Sequence, residues 1–151
     1  MAAGRPVAVA LAAVLSAALL AGCSDDGAQD RRLAFAADYA AHPHLKVTGC
    51  PVPETLGLVQ QVVWRLADGS AERLAPLAAA EGSADGRRAA AEAWVRDYAR
   101  GAAGEVTADF GDDPAERQTV RLTFHGTGQV KELTLRPDGP DGGAGWRVLL
   151  A

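Results

Sequence analysis

The chain has 151 residues, of which 48% are hydrophobic, 23% charged and 5% aromatic, with 17 Gly, 8 Pro, 2 Cys and a formal net charge of -4. That length suits one domain, and because Ala supplies much of the apolar fraction the core is modest, which excludes a large multi-pocket enzyme. The negative charge excludes broad electrostatic attraction to nucleic acid or to an anionic membrane surface.

Met1-Ala2-Ala3-Gly4-Arg5-Pro6 places one basic residue near the amino terminus, and Val7 to Leu20 follows without a charge. That apolar run is shorter than the about 20 residues a helix needs to cross the hydrocarbon core, so it reads as a signal peptide rather than a span. It ends in Leu20-Ala21-Gly22-Cys23, which resembles the lipobox of bacterial lipoproteins at all four positions. The resemblance implies cleavage before Cys23 and a diacylglycerol thioether on its sulfur, palmitate being typical of such chains, with or without an added N-acyl chain. It also implies a protein anchored to the cell membrane and facing outside the cytoplasm. Acyl chains hold where a bare thiol cannot, since each buried methylene contributes about 0.8 kcal/mol.

The expected layout is therefore a signal peptide over residues 1–22, a lipidated tether with a short helix over 23–52, and an α+β domain over 53–151. Loss of Arg5 with the signal peptide makes the remainder more acidic. With Cys23 committed to lipid, Cys50 is the only other thiol, so no intramolecular disulfide forms. Gly49-Cys50-Pro51 is read as a small apolar residue packed under a turn rather than a reactive thiol.

Ser24 to Arg32 is charged and reads as the tether. Leu33, Ala36, Ala37 and Ala40 then recur at helical spacing, with Phe35 and Tyr39 off that stripe, until His42-Pro43 stops the pattern. Pro53 opens the first firm helix, whose stripe is Leu56, Val59, Val63 and Leu66 with Val62 beside it. Trp64 lies off this stripe and is read as a partner contact. Asp68-Gly69 ends the helix, Ser70 caps a second short one, and Pro76 breaks that one. Arg87 to Arg100 is the best helical pattern, with Ala91, Trp94, Val95, Tyr98 and Ala102 on one side.

The period then changes to two. Val106, Ala108 and Phe110 alternate with polar residues, as do Val120, Leu122 and Phe124, and Gly126-Thr127-Gly128 signals a hairpin. In the next strand Val130 falls on one parity and Leu133 and Leu135 on the other, which predicts a bulge near Lys131-Glu132. Trp146, Val148 and Leu150 form a last strand. The expected fold class is α+β, with N-terminal helices packed on a curved four-stranded antiparallel sheet.

The order of a helix, a short helix after Asp-Gly, a longer helix with Trp94 and Tyr98, and four strands ending in Gly145-Trp146-Arg147-Val148 resembles the nuclear-transport-factor-2-like (NTF2-like), or cystatin-like, superfamily over about residues 53–151. It is similar in particular to small lipoproteins of that superfamily from high-GC Gram-positive bacteria. The chain departs from many members in lacking residues for a first short strand pair before the third helix. The resemblance implies a cone whose open end can hold a ligand, and a homodimer through the exposed sheet face.

Trp94, Tyr98, Phe110, Phe124 and Trp146 are the ligand-pocket candidates, although core is their more ordinary role. Asp97, Asp109 and His125 are the available acid–base groups, but all lie on polar faces, where no desolvation tunes them. His42 and His44 offer two imidazoles without a third ligand, too few for a metal. Arg117, Arg121, Lys131, Arg136 and Arg147 gather on the outer sheet face among Glu105, Asp109 and Glu132, and read as a solvated face with cross-strand ion pairs. No catalytic residue, cofactor or metal site is therefore assigned. The sequence is read as a non-enzymatic binding or interaction module whose partners are the bilayer and a second copy or envelope protein, and not nucleic acid. The alternative is a cavity enzyme of the isomerase or cyclase type on the same fold.

Overall fold

The computed structural model describes residues 26–112 and 116–150. They form an α+β fold in which helices pack on one face of a five-stranded mixed sheet of order β1-β2-β3-β4-β5. Among the described residues, no helix is long and apolar enough to cross a membrane.

Helix α1 runs Asp26–Ala41, so most of the segment expected to be a tether is helical. The face that docks it is Phe35, Asp38 and Tyr39, continued by His42, at the i, i+3, i+4, i+7 spacing of a helix side. The stripe of Leu33, Ala36, Ala37 and Ala40 points outward, with Leu33 62% exposed. Helix α2 (Pro53–Ala67) has Pro at its first turn, where the missing N–H costs nothing. Its start is tied by Thr55, whose hydroxyl donates to the Val52 carbonyl and accepts from the Val52 N–H. Leu58, Val59, Val62, Val63 and Leu66 are buried from this helix, and so are Trp64 and Arg65 on its other side.

Asp68-Gly69 turns the chain, with Gly69 at a φ of 68° that favours glycine. Ser70 caps α3 (Ala71–Leu74), its hydroxyl accepting from the Arg73 N–H, and Pro76 falls in the 3-10 turn Ala75–Leu77 that follows. The chain then crosses the sheet margin, where the Ala79 N–H donates to the Val148 carbonyl at 2.9 Å. Ser83 caps α4 (Ala84–Ala102) through the Gly86 N–H. Helix α4 buries Ala91, Trp94, Gly101 and Ala102.

Strands β2 (Val106–Phe110), β3 (Gln118–Phe124), β4 (Gln129–Pro137) and β5 (Trp146–Leu149) form the expected antiparallel meander. Two features correct the sequence reading. Strand β1 (Lys46–Gly49) adds a fifth member, parallel to β2. It carries no alternation because all four of its residues are exposed at the sheet edge. The β3–β4 register runs unbroken from Phe124 opposite Gln129 to Gln118 opposite Leu135, so no bulge lies at Lys131-Glu132. Val130 simply faces outward, 55% exposed. The inner face carries Val106, Ala108, Phe110, Val120, Leu122, Phe124, Leu133, Leu135 and Val148, which form one core with α2 and α4.

Candidate functional site

Cys23 and the residues before it lie outside the described residues. The five aromatic candidates are placed as follows. Trp94, Phe110 and Phe124 are buried in the core. Tyr98 is half-buried, stacks on Phe124 at 5.4 Å and meets Trp94 edge-on at 6.4 Å. Trp146 stands apart from this ladder and lines a surface groove with Phe35, Pro53, Leu58, Leu77 and Arg147. The fold therefore does not gather all five around one opening.

Asp97 and His125 have side chains 50% and 46% exposed. Asp109 is also exposed and accepts a hydrogen bond from Thr48 at 2.7 Å. On the outer sheet face Arg121 stands between Asp109 on β2 and Glu132 on β4, an arrangement of alternating charge across three strands. Glu105, bonded to Lys46 at 2.8 Å, is held below the usual carboxylate range by that bond and charge. Lys131 is misplaced by the outer-face reading: it pairs in register with the buried Leu122 and lays its ammonium 4.6 Å from the Trp94 ring centre. Arg136 pairs with Glu81 and Asp138. Cys50 is exposed rather than packed under its turn. Its backbone is held by the Phe110 carbonyl and by the amide of the buried Gln118, which leaves the thiol at the surface.

The densest polar cluster was not assigned by sequence reasoning. It joins α1 to α2 and α3. Arg65, only 6% exposed although charged, donates to Asp38 and, at 3.2 Å, to Asp68. Arg73 reaches the same carboxylates at 3.6 and 3.3 Å. His42 completes the set. Its Nδ1 lies 2.8 Å from the Asp38 carbonyl and its Nε2 lies 2.8 Å from Asp68 Oδ1. Both ring nitrogens face acceptors, so the geometry is satisfied in full only by the imidazolium, in which both donate. The hydrogen bond to Asp68 foremost, against the opposing effect of burial, raises the His42 pKa above its ordinary value of 6.5. Arg65 holds Asp38 below the usual carboxylate range. Burial alone would push Asp68 up, but the hydrogen bonds and charges of His42 and Arg65 outweigh it and the net direction is down.

Beneath this cluster lies Trp64. It is fully buried, with Phe35, Tyr39 and His42 packed on it at 5.3, 6.2 and 5.4 Å. The residue that looked like a contact for another protein is thus covered by the chain's own first helix. His44 turns back onto α1 as well, stacking on Tyr39 at 4.0 Å with its Nε2 3.2 Å from the Tyr39 carbonyl. Both histidines therefore bond carbonyls in the last turns of α1. Among the described residues no group of three or more His, Cys, Asp or Glu is arranged to hold a metal ion.

No family model, curated protein or solved structure matches the chain.

Proposed function

We propose that the chain is a bacterial lipoprotein, acylated on Cys23 and held at the outer side of the cell membrane, whose domain is a non-catalytic binding or interaction module of the NTF2-like kind. The observation that carries this reading is Leu20-Ala21-Gly22-Cys23 directly after an uncharged run too short to span. The exposure of Asp97, Asp109 and His125 supports the binding reading over the isomerase or cyclase alternative, because an acid–base pair tuned for catalysis needs a desolvated setting. Strands β2 to β5 and their covering helices are compatible with the NTF2-like resemblance. The fifth, parallel strand is an element that the resemblance did not include.

The partner proposed first is the bilayer itself, and the second is another copy of the chain meeting it through the outer sheet face, where Val130 is exposed. The test of the anchor is fractionation of cells producing wild type and Cys23→Ser, followed by trypsin treatment of intact cells. The reading expects wild-type protein in the membrane fraction and cut by external trypsin. Equal release of both proteins to the medium, or protection from trypsin until lysis, overturns it. For the second partner, sedimentation as a monomer at tens of micromolar removes the dimer.

A further inference from the structure

We propose that the contact between α1 and α2 is a pH-sensitive clamp, closed when His42 is doubly protonated and loosened when it loses a proton. The geometry stands on hydrogen-bond accounting. A neutral imidazole has one donor and one acceptor nitrogen, whereas His42 has a carbonyl oxygen at one nitrogen and a carboxylate oxygen at the other, each at 2.8 Å. Losing the proton breaks one of the two bonds and sets a nitrogen lone pair against an oxygen.

The groups that face His42 are Asp38 from α1, Asp68 from the end of α2, and Trp64, on whose ring it stacks at an interplanar angle of 21°. Arg65 from α2 and Arg73 from α3 bind the same two carboxylates. Tyr39 and His44, on the adjoining turn, stack on each other. Two guanidinium groups already balance the two carboxylates, so the extra proton is retained first by the hydrogen bond to Asp68, with the Asp38 carbonyl and the charges of both carboxylates adding to it.

The sign follows from linkage. His42 binds its proton more tightly docked than undocked, so docking is fully supported below about 6.5 and weakens as pH rises through the docked value. What opens is the cover over Trp64. The consequence for reach rests on the anchor reading. Docked, the 16 residues of α1 span about 24 Å as helix. Undocked and unwound, the same 16 residues extend to about 50 Å.

The test uses the full chain in detergent micelles, with imidazole NMR and amide hydrogen exchange recorded between pH 5 and 9. The clamp expects His42 to titrate above 6.5 with both nitrogens protonated below that point. It also expects α1 amide protection, corrected for intrinsic exchange, to fall by up to about tenfold per pH unit through the titration while β3 and α4 hold theirs. His42→Gln should abolish this pH dependence. A His42 titration at or below 6.5, or α1 protection that does not change with pH in the wild type, overturns the proposal. Cys23→Ser separates the two readings: it removes any acyl chain and should leave the clamp's pH dependence in place.

Discussion

Two identical substitutions in two helices should move stability in opposite directions. Gly57 lies within α2, and a Cβ built there meets no atom within 4 Å, so Gly57→Ala gains helix propensity without a clash. The expected gain is about 0.5–1 kcal/mol. Gly101 lies near the end of α4 against the β3–β4 turn, and a Cβ there would sit 2.8 Å from Phe124 Cβ, 2.9 Å from Thr127 Oγ1 and 3.0 Å from Phe124 Cγ. Phe124 is fully buried and stacked on Tyr98, so it has nowhere to yield and α4 must lift from the sheet. Overpacking of this kind costs about 1–3 kcal/mol, and the propensity gain is reduced in a last turn, which leaves a net loss of about 1–2 kcal/mol. Urea unfolding followed by tryptophan fluorescence reads both, and the thermal midpoint should move by about 2–4 °C for each kcal/mol. A Gly101→Ala protein as stable as wild type would refute the close approach of α4 to the sheet.

Leu133 is fully buried on β4 opposite Val120, so Leu133→Ala should lose about 2–5 kcal/mol; a urea midpoint within error of wild type would contradict the core as described. Ser83→Ala removes the cap on a long helix and should cost about 1 kcal/mol by the same assay. At acid pH the clamp fails from its other partners. Asp38 and Asp68 are held below 3.8, so their contribution is fully present above that value and is lost as pH falls through the folded values. Hydrogen exchange of α1 should accordingly accelerate below about pH 3.8, and Asp38→Asn should lessen that acceleration; indifference of α1 to acid would count against the ion cluster.

Much of the fold was legible because α4 and β2 to β5 each bury one face and α2 carries one continuous apolar stripe, and such burial writes its period into the sequence. Strand β1 left no such trace. Its four residues are exposed, and its parallel partner arrives only after three intervening helices. Helix α1 was misread for a related reason. Its docking face mixes Phe35 and Tyr39 with Asp38 and His42, so a count of apolar residues alone selects the alanine stripe, which is the exposed side. The spacing of 35, 38, 39 and 42 was the signal available, and it becomes visible once paired charges are allowed on a buried face. Trp64 followed from the same error, since a helix not recognised as docked leaves the residue beneath it looking free. The apparent bulge in β4 arose from Val130, an apolar residue on the wet face, and Lys131 escaped because its apolar stem and charged head suit a seat over Trp94.

The central claim is the acyl anchor, and intact-mass analysis of protein made in a Gram-positive host tests it most directly. The account predicts a membrane-bound species that begins at Cys23 and exceeds its polypeptide mass by that of the acyl chains, with the increment lost in Cys23→Ser. An unmodified, secreted polypeptide from both genes would contradict it.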